Sequence, residues 1–197
     1  MVKDLSSDYN WEGDTVLIEL RLDKVMQLFN TLDPTPFHSR DLDVDAEEYI
    51  VGAAREFPLR TPLKLILHLA PDACEDPLAA NLEQAIRHYF EYRAKVADRE
   101  LRLKLWQGRI SLLIGLVFLA SCMSLIGFLE TDRATTWLRL VQEGLLISGW
   151  VALWGPMEIF LYGWWPIYQT RSVYAKLSLI EVEIRSIANS ETFPAKS

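Results

Sequence analysis

Apolar positions along this chain change their period, first by two, then by three and four, then with no polar break at all. Over Thr15–Leu22 ("TVLIELRL"), Val16, Ile18 and Leu20 alternate with Leu17, Glu19 and Arg21, the period of a strand. Leu22, Val25, Met26, Phe29 and Leu32 then form one stripe, which predicts a short helix capped by Asp23. Prolines force a turn over "DPTPF" (33–37). Asp45 with Glu48 reads as a capping box. Tyr49, Ile50, Ala53, Ala54 and Phe57 follow as an apolar face, so a helix is expected from about Ala46. A second strand is expected in "PLKLILHLA" (Pro62–Ala70), with Leu63, Leu65, Leu67 and Leu69 on one face.

After "PDACEDP" no proline interrupts the chain, and helical signals run from about Leu78 through Leu129. The last twenty residues of that stretch, Ile110–Leu129, carry no charge and are bracketed by Arg109 and Glu130. Twenty helical residues span roughly 30 Å, the hydrocarbon thickness of a bilayer. A second run, Gly144–Ile167, contains one charge, Glu158. It is long enough to span with tilt. Past Pro166, Val173, Leu177, Ile180, Ile184 and Ile187 step by 4, 3, 4 and 3, a heptad seam. Leu82, Ile86, Tyr89, Val96 and Leu103 offer a looser match upstream, so an antiparallel helix pair is expected.

The expected organisation is α+β. A disordered tail (1–13) precedes a small cytosolic strand-helix-helix-strand domain (14–77) and a stalk helix (78–109). A hairpin of two transmembrane helices follows (110–129 and 140–167, with an external loop 130–139). A cytosolic helix (168–189) packs back on the stalk and ends in a tail (190–197). Two strands alone are marginal, so either helices cover them or a second subunit completes the sheet.

Charge adds orientation. Nine basic residues flank the two runs on the terminal sides (Arg93, Lys95, Arg99, Arg102, Lys104, Arg109, Arg171, Lys176, Arg185), whereas Arg133 and Arg139 alone serve the connection. The positive-inside rule then expects both termini in the cytosol. The N-terminus, "MVKDLSSDYN", has no apolar core of a signal peptide. Residues 1–57 hold thirteen acids and five bases, which argues against nucleic acid and suits a protein partner or plain solubility. The stretch Arg87–Arg109 is basic and abuts a span, which favours anionic lipid headgroups. Arg99, Arg102, Lys104 and Arg109, with the interfacial Trp164 and Trp165, are the expected headgroup contacts.

Catalytic and metal motifs are weak. Asp41, Asp43 and Asp45 mimic the start of a calcium loop, but Ala46 and Gly52 stand where glycine and glutamate are needed. Acids at a helix N-terminus explain them without a metal. His38, His68 and His88 are scattered, and Cys74 and Cys122 form no motif. No phosphate loop or nucleophile elbow appears. No enzyme activity and no cofactor are expected.

Glu158 is the residue that stands out. It shares a helical face with Trp150, Trp154 and Tyr162, and Pro156 beside it cannot donate its amide. It reads either as hydrogen-bond glue between helices, with Ser121, Ser124, Trp154 or Arg109 as partners, or as a group for ion passage. Small residues at Gly144, Ser148 and Ala152, and at Ser111 and Gly115, permit close helix packing, either within the hairpin or between subunits.

Two stretches, "LFNTLDPTPFHSRDLDVDAEEYIV" (Leu28–Val51) and "WGPMEIFLYGWWPI" (Trp154–Ile167), resemble a family of uncharacterised bacterial two-span membrane proteins. That resemblance implies the bacterial inner membrane. In plan, a soluble domain, stalk, hairpin and returning helix also resemble the mitochondrial calcium uniporter family and its bacterial relatives. Trp154 and Glu158 keep the Trp-to-Glu spacing of that family's Trp-Asp-x-x-Glu-Pro motif, but Gly155 replaces its aspartate and Pro156 precedes the glutamate. The expected function is a homo-oligomeric scaffold, adaptor or signalling component that engages a cytosolic protein. The alternative is an ion channel or transporter subunit built around Glu158.

Overall fold

The computed structural model describes residues 9–30, 33, 35, 40–74, 76–129 and 136–187. Residues 1–8, 75 and 188–197 (which include the last two of the expected helix over 168–189), most of the proline turn and the connection at 130–135 lie outside them. The protein is mixed α and β, with a four-stranded sheet and long helices. It divides into two compact units, one of residues 1–96 and 170–197, the other of residues 97–169.

The first unit is built on the sheet β1 (Asn10–Glu12), β2 (Thr15–Leu22), β3 (Leu63–Leu69) and β4 (Glu181–Ser186), in that spatial order. β1 runs antiparallel to β2, and β2, β3 and β4 are parallel. β1 corrects the expected tail over 1–13. Gly13, at φ +63°, opens a two-residue loop between Glu12 and Thr15, the place where a II′ hairpin turn calls for glycine. The short helix expected after β2 is a single 3-10 turn, Val25–Leu28, where the Gln27 side chain accepts from the Asp23 and Lys24 amides.

α1 (Val44–Glu56) starts two residues earlier than expected, because Asp43 rather than Asp45 caps it by accepting from the Asp45 amide. β3 is followed by the single turn α2 (Pro71–Cys74) and then by α3 (Leu82–Leu129), one continuous helix of 48 residues. In the second unit come α4 (Thr136–Val151), α5 (Trp154–Glu158) and a π-helical turn (Ile159–Gly163). α6 (Trp165–Leu177) re-enters the first unit.

The largest correction concerns the C-terminal helix over 168–189 and its heptad seam. The helix stops at Leu177, and Glu181–Ser186 is a strand paired with β3, Lys64 against Glu181 and Leu69 against Ser186. The physical reason lies in "IEVEIRS". Ile180, Val182 and Ile184 alternate with Glu181, Glu183 and Arg185, and β-branched residues at period two fit a pleated edge better than a helix. The same chain therefore supplies the strands that two alone lacked.

Leu63, Leu65, Leu67 and Leu69 on β3 are buried, as are Val16 and Ile18 on β2. The helices contribute Ile50 and Ala54 from α1, Leu82, Ile86 and Phe90 from α3, and Val173 and Leu177 from α6. The other face carries the charged residues of the sheet around the buried Leu17 and Ile66. There Lys64 Nζ lies 2.7 Å from Glu183, 3.1 Å from Glu181 and 3.6 Å from Glu12, joining three strands. Hydrogen bonds to Glu183 and then Glu181 raise the Lys64 pKa.

Candidate functional site

Two helical stretches, Ala79–Phe128 and Thr136–Leu177, are long and apolar enough to cross a membrane. In their most apolar windows only 11% and 17% of residues are buried. The core helix of a soluble protein is mostly buried, so these side chains face outward from the chain.

Within the second unit, glycines set the register between α3 and the helices that follow. A methyl group added at Gly149 would come within 2.6 Å of Leu119 Cδ1, and one at Gly115 within 3.1 Å of the Ala152 carbonyl oxygen. One at Gly108 would meet Ile159 Cγ2 at 2.8 Å, and one at Gly163 would lie 3.6 Å from Lys104 Cε. The contact line also buries Cys122, Leu153 and Pro156. Of the small residues expected to pack, Gly115 meets Ala152, and Ser111 is half-buried. Gly144 and Ser148 do not join this line. Gly144 has open space where a side chain would be, and the Ser148 hydroxyl donates to the Gly144 carbonyl.

Glu158 lies on the far side. Pro156 is buried, and a residue two positions on is turned about 200° around a helix. Glu158 is accordingly exposed, with Trp154 and Tyr162 beside it, 73% and 71% exposed. Ser121 and Ser124, considered as partners from the sequence, donate instead to the Val117 and Ala120 carbonyls of their own helix. Among the described residues the Glu158 side chain makes no hydrogen bond or ion pair. Because Ile159 packs on Gly108, Glu158 stands at the height of Arg109.

The local backbone around this face is irregular. Pro156 leaves the Ala152 carbonyl without its usual amide, the helix breaks at Ala152–Leu153, and a π-helical turn adds a residue per turn just after Glu158.

Below Glu158 the basic and aromatic residues gather. Lys104 lies against Gly163, next to Trp164. The Trp164 indole donates to the Phe160 carbonyl at 2.8 Å, and its ring meets Trp165 and Tyr168 edge-on at 5.6 and 5.9 Å. Arg99 and Arg109 are exposed, and Arg102 pairs with Asp98 one turn earlier.

The first unit holds a polar hub that the sequence did not reveal. Glu47 on α1 accepts from Tyr89 at 2.7 Å, from Arg93 at 2.9 Å and from Tyr174 at 2.8 Å. Arg93 also donates to the Tyr174 hydroxyl and lies 5.1 Å from its ring centre. Burial, then the hydrogen bond to Glu47, pushes the Tyr89 and Tyr174 hydroxyls above their ordinary values. Glu47 thereby ties α1 to both α3 and α6, the helices that run on into the apolar stretches. Its partners are 42, 46 and 127 residues away, so local pattern carried no sign of it.

Among the described residues no group of three or more His, Cys, Asp or Glu side chains could hold a metal ion. Comparison with protein-family models, curated proteins and solved structures finds no match.

Proposed function

We propose that this protein is a bacterial inner-membrane scaffold or adaptor with two spans and both termini in the cytosol. It forms a homo-oligomer and offers its acidic α+β unit to a protein partner. The observation that carries the reading is the β3–β4 ladder. Its two strands flank both apolar stretches in sequence, yet they share hydrogen bonds. Segments paired in one sheet lie on one side of a bilayer, so the number of crossings between them is even. Two crossings satisfy this, and one does not. Unburied apolar side chains along both stretches support a lipid environment for them.

The Glu47 hub suits a display platform, because it holds α1 to both helices leading toward the membrane. The Lys104–Trp164 belt, with Arg99, Arg102, Arg109 and Trp165, suits anionic headgroups.

The test uses full-length protein in native membranes, with a photo-reactive residue at Glu48 or Asp45, both exposed on α1. A discrete protein adduct that disappears when the other acid is reversed to lysine is the expected result. Proteoliposomes should show no ion flux. A robust flux abolished by Glu158→Gln would replace this reading with a channel or transporter subunit.

A further inference from the structure

Glu158 and Arg109 raise one question together. Both stand at one height in the second unit, because Gly108 and Ile159 are in contact. Both are exposed, and neither side chain takes part in a hydrogen bond or ion pair among the described residues. They cannot readily serve one another within one chain. Glu158 points away from α3, which carries Arg109, since Pro156 on the opposite side of its helix is the buried one.

We propose that a second copy of this chain covers the outer face of α4 and α5, and that Arg109 of one copy pairs there with Glu158 of the next. The inference rests on the two-span membrane reading. An unpaired carboxylate bordering hydrocarbon is costly, and so is an unpaired guanidinium, so a chain carrying one of each at the same height on different helices is complementary to a neighbouring copy.

The outer face also admits a close neighbour. Gly144 and Gly155 both have open space where a side chain would stand. Gly155 stands three residues before Glu158 on the same short helix, and Gly144 is likewise exposed on α4. Arginine suits this partner better than lysine would, because its fork donates to both carboxylate oxygens at once. A zwitterionic lipid amine is the competing occupant. It is disfavoured because Glu158 lies more than a turn inside Trp164 and Trp165, above the level of Lys104.

The experiment uses the full chain with Cys74→Ser and Cys122→Ala, in nanodiscs and in mild detergent. Chains with Arg109→Cys and chains with Glu158→Cys, separately tagged, are co-expressed and mildly oxidised. A mixed disulfide between the two tags is expected. In the natural background, Arg109→Glu or Glu158→Arg alone should weaken association roughly tenfold or more, and the double reversal should restore it. If a reversal prevents insertion, Arg109→Gln and Glu158→Gln replace it.

Association unchanged by the single substitutions, or a double reversal as monomeric as the singles, overturns the proposal. So does a monomer whose thermal stability follows the phosphatidylethanolamine content, which would assign Glu158 to a lipid amine. Carbonate extraction separates the two levels of the account. Natural protein released by carbonate defeats the membrane reading, whereas protein retained as a monomer defeats only this pairing.

Discussion

The two units use the same apolar residues in opposite ways. In the first, Ile18, Leu65, Leu67 and Leu177 are fully buried, and the charged groups stay at the rim or on the open sheet face. In the second, Leu113, Ile114 and Val117 are about as exposed as charged residues on a soluble helix would be. The first unit satisfies its hydrophobicity within the chain. The second leaves its apolar side chains facing outward. A hydropathy average over the whole chain hides this division, because it merges a charged unit that buries its apolar residues with one whose uncharged stretches expose them.

The comparison can be broken most severely by making one chemical change in both places. Leu177→Ala removes a fully buried side chain and should cost about 2–5 kcal/mol, read from denaturant unfolding of full-length protein in detergent. Leu113→Ala, at a side chain 63% exposed, should stay within about 0.5 kcal/mol. Equal losses would mean that the hairpin packs like a soluble core.

Gly115→Val comes next. Its methyl groups would press on the Ala152 carbonyl oxygen and Leu153, and the expected loss is about 1–3 kcal/mol. Gly144→Val should leave the same hairpin intact, though in oligomers it should reduce association. Thermal melts scored alongside native mass spectra separate the two effects.

In the first unit, Glu47→Gln weakens three hydrogen bonds that join α1, α3 and α6. The expected cost is about 1–2 kcal/mol, because Arg93 keeps part of its solvent. Faster hydrogen exchange at the C-terminal end of α6 would locate that loss.

The smallest effect is electrostatic. Hydrogen bonds from Arg185 and then Lys64 hold the Glu183 carboxyl down to about 2, from an ordinary value of 4.5. A carboxylate lowered in the folded state contributes stability that is complete above its unfolded value and is lost as pH falls through the folded one. Stability should therefore drop between pH 4.5 and about 2, and Glu183→Gln should flatten that slope. An unchanged slope would show that Arg185 and Lys64 do not hold Glu183 in the folded protein.

Much of this division was legible in residue order. The uncharged run from Ile110 and the four leucines of β3 declare themselves by period alone. Other parts were ambiguous for identifiable reasons. Ile180 and Ile184 fit a heptad as well as a strand, and Val182, apolar but off the heptad seam, is the residue that favours the strand. β1 is three residues long, too short for a period, and only the glycine of "EGDT" marks its hairpin. The aromatic and acidic residues Trp154, Glu158 and Tyr162 could be placed on one face but not aimed, since direction follows from which side buries Pro156. Glu47 was invisible because its partners arrive from distant helices, as tertiary hydrogen bonds do.

In the proposed topology β3 and β4, paired in one sheet, lie on one side of a membrane crossed twice between them. Thiol labelling of full-length protein in sealed, oriented vesicles tests it directly. Single cysteines replace Asp72 after β3, Arg185 in β4 and Arg139 at the start of α4, in a chain with Cys74→Ser and Cys122→Ala. Positions 72 and 185 should react with an impermeant maleimide from the same, cytosolic side, and position 139 only from the other. Labelling of 72 and 185 from opposite sides, or of all three from one side, would contradict the account.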